Sequence, residues 1–112
     1  MSQVTTHILD TSAGKPAQQV TIIFYQGGND EWKEIARGQT NADGRLANLL
    51  NTNEPLQTGI YKLRFETKDY YDRQGIATLY PFVEVVVDIT DIDHYHIPLL
   101  LSPFGYATYR GS

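Results

Sequence analysis

The chain has no cysteine among its 112 residues, and only one methionine and one tryptophan. Without thiols there is no disulfide, no thiolate nucleophile and no cysteine-built zinc site. Stability must come from an apolar core, and chemistry from oxygen and nitrogen side chains. No apolar run approaches the ~20 residues of a membrane span. Basic residues are few and scattered, nine Lys and Arg against thirteen Asp and Glu for a formal charge of −4. With no basic cluster to neutralise phosphates, neither nucleic acid nor an anionic membrane is an expected partner. A glycine-rich phosphate loop, a Gly-x-Ser-x-Gly elbow and a paired acidic motif are also missing. The opening Met1-Ser2-Gln3-Val4-Thr5-Thr6-His7 shows neither the positive nor the apolar region of a secretory leader. The end is not a Ser-Lys-Leu address either, so a cytoplasmic protein is the expectation.

What remains is a pattern of short strands. The length suits one domain, 1–112, able to bury roughly two-thirds of its unfolded surface. Residues 4–10, 20–25, 32–40, 45–50 and 59–66 are rich in β-branched and apolar side chains and are bounded by turn residues. The third of these alternates less cleanly than the rest. The turns between them include Gly27-Gly28-Asn29-Asp30 and Asn41-Ala42-Asp43-Gly44, the latter ending in an Asp-Gly pair suited to positive φ. In the fifth, Tyr61, Leu63 and Phe65 share one face. Residues 67–75 do not alternate, and predict a helix of about two turns capped by Thr67 and stopped by Gly75. Residues 81–89 form the next strand. The last two strands flank a Ser102-Pro103-Phe104-Gly105 turn. The sum is an all-β sandwich of two four-stranded sheets, with one short helix after the fifth strand.

Three histidines need an account, because imidazole titrates nearest neutral pH. His94 and His96 fall on one side of a strand by its two-residue period. With His7 they could hold a zinc ion, but His-x-His is short and unspecific. His94, beside Asp91 and Asp93, reads as a solvated residue at a strand end. His7 and His96 lie in otherwise apolar strands, where a satisfied structural role and a chemical role stand level. Arg45, just after the Asp43-Gly44 turn, is either a surface charge or a planar fork for a polarised carbonyl. Arg110 has the same two readings. The stretch ends in Tyr109-Arg110-Gly111-Ser112 with no polar tail, and an end of that kind is expected to have a place to sit. Asp10, Asp43 and Asp69 are explained by turns and capping.

Taken together, several segments resemble the 5-hydroxyisourate hydrolase family of transthyretin-related proteins. They are Thr6-His7-Ile8-Leu9-Asp10 with Gly14-Lys15-Pro16, then Thr40-Asn41-Ala42-Asp43-Gly44-Arg45, Tyr80-Pro81, the stretch from His94 to Pro103, and the terminal tetrapeptide. The resemblance covers nearly the whole chain in the family's order. It implies a transthyretin-like sandwich and a homotetramer, a dimer of dimers with active sites in a channel between dimers. It implies hydrolysis of 5-hydroxyisourate to 2-oxo-4-hydroxy-4-carboxy-5-ureidoimidazoline by general acid–base catalysis, with no metal or organic cofactor. The implied catalytic residues are His7, Arg45, His96 and Ser112. The implied substrate-binding residues are Arg45, Tyr109, Arg110, Gly111 and Ser112. A transthyretin-like carrier, binding a small aromatic ligand in the channel, is the alternative. Carriers of that kind lack the two catalytic histidines and the terminal signature, and this chain keeps both.

Overall fold

The computed structural model describes residues 2–112. Among these, nine strands and one helix follow in the order β1 (Val4–Asp10), β2 (Lys15–Pro16), β3 (Thr21–Gly28), β4 (Glu31–Gln39), β5 (Arg45–Leu46), β6 (Gly59–Phe65), α1 (Thr67–Asp72), β7 (Val83–Ile89), β8 (Tyr95–Ser102) and β9 (Gly105–Thr108). One sheet has the order β4-β3-β6-β7. The other runs β2-β1-β8-β9, with β5 paired to the same strand, β1, as β2. Alternation decides which side chains meet between the sheets. Ile22, Phe24, Tyr61, Leu63, Phe65, Val83 and Ile89 point inward from the first, and Val4, Ile8, Tyr95, Ile97, Leu99 and Leu101 from the second. All belong to one buried cluster. Each such side chain withdrawn from water stabilises the fold by about 1.5–3 kcal/mol. Phe24 stacks on Tyr61 across β3 and β6, ring centroids 5.3 Å apart. No helix among the described residues is long and apolar enough to cross a membrane.

The expected strands are present, with local differences that have physical causes. The hairpin after β3 is tighter than its glycines suggest. Only Asn29 and Asp30 form the turn, both with positive φ (50° and 63°), the two-residue geometry that matches strand twist. The ragged alternation of the third strand is a bulge. Phe24 pairs with Ala36 and Tyr25 with Glu34, leaving Ile35 unopposed and shifting parity by one. The fourth expected strand keeps only Arg45–Leu46. A further two-residue strand, Lys15–Pro16, forms in a run read as pure turn, so the sheet holding β1 has five strands rather than four. Thr67 is the first helical residue and not the cap. Glu66 holds that place without a side-chain bond, and the buried Thr67 hydroxyl has no partner. The helix ends at Asp72, and the turn that closes it runs to Gly75 (φ 69°), whose N–H bonds the Asp72 carbonyl (3.1 Å) while that of Ile76 bonds the Tyr71 carbonyl (3.0 Å).

The pairing that positions everything else is β1 with β8. These strands run parallel, from Val4 opposite Tyr95 to Asp10 opposite Leu101. A parallel neighbour requires a long crossover, and here residues 11–94 intervene. Asp10, at the end of β1, is almost wholly buried. Its Oδ1 accepts from the Ser12 N–H (3.1 Å), the Ser12 hydroxyl (2.7 Å) and the Ala13 N–H (3.1 Å), and its Oδ2 accepts from the Tyr70 hydroxyl of α1 (2.8 Å). Burial alone would raise its pKa. The bonds from Ser12, Tyr70 and Ala13 outweigh that and hold it below the ordinary carboxylate value. Asp10→Ala leaves four donors without their acceptor, so the unfolding free energy should fall by about 2–4 kcal/mol in a urea titration. A loss under about 0.5 kcal/mol, the size of an ordinary surface change, would contradict the tether.

Candidate active site

The outer face of the β1–β8 pair carries the polar side chains. On β1 the residues of opposite parity to the core are Thr5, His7 and Leu9. On β8 they are His96, Pro98 and Leu100. Register sets Thr5 directly beside His96. The Thr5 hydroxyl lies 2.8 Å from Nδ1 of His96 and also 2.8 Å from Nε2 of His94, just before β8. The two rings face each other, centroids 6.3 Å apart and planes 26° from parallel. His94, expected to be a solvated strand-end residue, is exposed but bonded into the site. Its spacing from His96 was the signal; no sequence pattern indicates the threonine between them.

Arg45 arrives by way of the turn before it. The Asn41 side chain accepts from the N–H groups of Asp43 (2.9 Å) and Arg45 (3.0 Å), and the Gly44 N–H bonds the Asn41 carbonyl (2.9 Å). Gly44 has φ +72° and lies against β1. A Cβ there would stand 2.5 Å from the Ile8 carbonyl oxygen, so only glycine lets the Gly44 carbonyl accept from the Ile8 N–H at 2.8 Å. This contact fixes Arg45 opposite His7 in the β1–β5 pair. Among the described residues no carboxylate pairs with the Arg45 guanidinium.

The end of the chain comes back to β8. Gly111 pairs with His96, its N–H donating to the His96 carbonyl at 2.7 Å. A Cβ on residue 111 would lie 2.6 Å from Cδ2 of the His96 ring and 3.2 Å from Pro98. The glycine is what allows the ring and the last residues to share one place. Ser112 then joins Thr5, Thr6, Arg45, Ala47, His94 and His96 around an open hollow of about 300 Å³. Tyr109 and Arg110 are not brought to it. They line another hollow with residues 85–88 of β7, and the Arg110 guanidinium lies over the Tyr95 ring (4.1 Å to its centroid) and donates to the His94 carbonyl (3.3 Å). Strand alternation accounts for Arg110, because Gly111 faces outward with His96 and residue 110 must face the other way.

Both inner imidazoles are biased toward the neutral form. The pKa of His96 is lowered chiefly by burial, then by the Arg45 charge, with His94 and His7 adding to it. That of His7 is lowered by burial and then by Arg45, against an opposing pull from Asp43. Desolvation and a nearby cation thus act in the same sense. The three histidines do not assemble into a metal-binding group among the described residues.

The solvent-facing hollow gathers His94, His96, the Arg45 guanidinium and the Ser112 hydroxyl, with His7 opposite Arg45 on the same face, and the comparison with known sequences gives this arrangement a family. The sequence model of the HIUase/Transthyretin family matches residues 4–111. The chain belongs to this family. The 5-hydroxyisourate hydrolase of Halalkalibacterium halodurans is 44% identical over 118 residues, covering 98% of both chains. Among solved structures of the family, the 5-hydroxyisourate hydrolase of Klebsiella pneumoniae aligns with a TM-score of 0.86 at 38% identity, covering 97% of this chain and 98% of that one. Sea bream transthyretin, solved in complex with thyroxine, aligns at 0.91 and 36%, covering 98% and 95%. Overall shape therefore does not separate the members of the HIUase/transthyretin family, and the side chains of the hollow must.

Two measurements test this geometry. An imidazole whose pKa is lowered in the fold binds fewer protons there than in the unfolded chain. Its contribution is complete above the ordinary value of 6.5 and is lost as pH falls through the lowered one. The thermal midpoint should drop as pH goes from about 7.5 to about 5.5, and His7→Asn/His96→Asn should flatten that slope. Equal slopes in the two proteins would contradict the assignment. Gly111→Ala should move the ring resonances of His96 in NMR spectra, or expose the Gly111 amide position to faster hydrogen exchange, with the core amides unchanged. If neither changes, the close approach is not as described.

Proposed function

We propose that this protein hydrolyses 5-hydroxyisourate, opening its lactam ring with water to give 2-oxo-4-hydroxy-4-carboxy-5-ureidoimidazoline. The observation that carries this reading is the convergence of His96, Arg45 and Ser112 on one hollow, with His7 opposite Arg45 on the same face. Full-length relatives with this name, at about the same identity in bacteria and in mouse, support it. The reaction needs a base for the water, a donor for the carbonyl oxygen as charge builds on it, and a proton for the departing nitrogen. His96 is bonded through Nδ1, which leaves Nε2 to take the water proton. Arg45 meets no carboxylate and can place two N–H donors on the polarised oxygens of the ring. Water adds to the carbonyl carbon as its proton passes to Nε2 of His96, the carbon–nitrogen bond breaks, and that proton is relayed to the departing nitrogen through neutral His7, which takes one proton on one ring nitrogen as it gives one from the other. One proton leaves the water and one reaches the departing nitrogen, so both imidazoles end the turnover neutral, as they began.

We read the working form as a homotetramer, a dimer of dimers, in which a neighbouring subunit covers the hollow. Its open side supports this, as do Val86, Ile92, Phe104 and Tyr109, apolar or aromatic side chains each more than half exposed. In that assembly Tyr109 and Arg110 reach substrate only if a neighbour brings it to them. A carrier of aromatic ligands has less support, because binding alone gives the two neutral imidazoles nothing to do.

The decisive test generates 5-hydroxyisourate with urate oxidase and follows its ultraviolet decay. The protein should accelerate the decay, and His96→Ala should lower the rate by about 10²–10⁴-fold. Near-normal turnover by that variant would reject the role of His96. Saturable binding of an aromatic ligand with no effect on the decay would favour the carrier.

A further inference from the structure

The hydroxyl of Thr5 carries one proton and touches two ring nitrogens, and that count restricts how the site can be protonated. Thr5 is 6% exposed, and its hydroxyl has no third partner among the described residues. If it donates to Nε2 of His94, then it must accept from Nδ1 of His96, so the His96 proton sits on Nδ1 and its Nε2 is bare. If it donates to Nδ1 of His96, then His94 must donate through Nε2, and the proton of neutral His96 sits on Nε2. An arrangement with both rings donating would strand the hydroxyl proton in a buried place with no acceptor, which disfavours it. We propose that Thr5 and His94 are positioning residues, a hydroxyl and an outer imidazole that together hold the proton of His96 on Nδ1 and so keep its Nε2 free toward the hollow. His94 is exposed, His96 half-buried and Thr5 buried between them, so the outer ring is the one open to solvent. The groups facing His96 are Thr5 and His7 on β1, Arg45 on β5, His94 on its own side and Gly111 and Ser112 from the last segment. Among the described residues, only Thr5 bonds to a nitrogen of the ring.

This inference rests on reading His96 as the base, but its first test does not. Nitrogen-15 NMR of the histidine rings at mildly alkaline pH should show neutral His96 and His94 both protonated on Nδ1. In Thr5→Val, which keeps the shape and removes the hydroxyl, both should move toward the Nε2–H form that free imidazole side chains prefer. Thr5→Ser should restore the original pattern. His94→Phe supplies a second route: it removes the outer acceptor, so the Thr5 hydroxyl turns to Nδ1 of His96 and drives the proton to Nε2. On 5-hydroxyisourate, kcat/KM should fall about 10–100-fold in Thr5→Val and His94→Phe, the usual cost of losing the group that orients a functional histidine, and recover in Thr5→Ser. A wild-type His96 protonated on Nε2, or Thr5→Val with an unchanged ring pattern, would overturn the proposal. Equal activity of Thr5→Val and wild type would do the same. If the ring patterns follow expectation while the wild-type protein does not accelerate hydrolysis, the hydrolase reading fails and the proton arrangement stands.

Discussion

The parallel pairing of β1 with β8 is the constraint on which the rest depends. It is set by two faces at once. Inward, Val4 and Ile8 pack with Tyr95, Ile97, Leu99 and Leu101, and a slip of one residue would turn that apolar set out to solvent. Outward, the same register lays Thr5 against His96 and places His7 where Arg45 can face it. The core therefore specifies the position of the polar groups more strictly than they could themselves. Hydrogen bonds at the Thr5 hydroxyl contribute order to a geometry that hydrophobic burial has already selected.

Arg45 shows how the remaining charge is managed. Some cations on the molecule meet carboxylates: Arg64 lies 2.6 Å from Glu66, Arg37 2.6 Å from Glu34, and Lys68 2.9 Å from Asp72. Arg45 is held in place by its backbone instead, through the Asn41 turn and the close packing of Gly44 on β1. A carboxylate partner would steady the side chain but also neutralise it. Left without one, the guanidinium acts on both imidazoles and keeps its five donors for something else.

Much of this can be read from the sequence, and the exceptions are instructive. The strands are legible because a half-buried sheet enforces alternation; Tyr61, Leu63 and Phe65 display it and are all buried. The bulge at Ile35 is visible only as blurred alternation, since an extra residue looks the same as a noisy pattern until its partner strand is known. The Lys15–Pro16 strand is too short to carry a period, and its existence depends on the neighbouring edge of β1 being free over Leu9 and Asp10. His7, Arg45, His96 and Ser112 stand out by residue type and motif. Thr5 does not, since a threonine in a strand is ordinary, and its role comes from a neighbour 91 positions away. Arg110 stands out for its charge, yet the direction of its side chain follows from the Gly111–His96 bridge, a fact of tertiary structure.

The span between β1 and β8 also has a kinetic meaning. Val4 must find Tyr95, and closing a loop of that length costs chain entropy before any contact repays it. Topologies dominated by such distant pairings fold in milliseconds to seconds rather than microseconds. On the ribosome, β1 emerges long before β8 and has to wait for the strands between them before its long neighbour exists. In that interval one edge of a β-branched strand stands open, a template on which another chain can pair before β8 arrives.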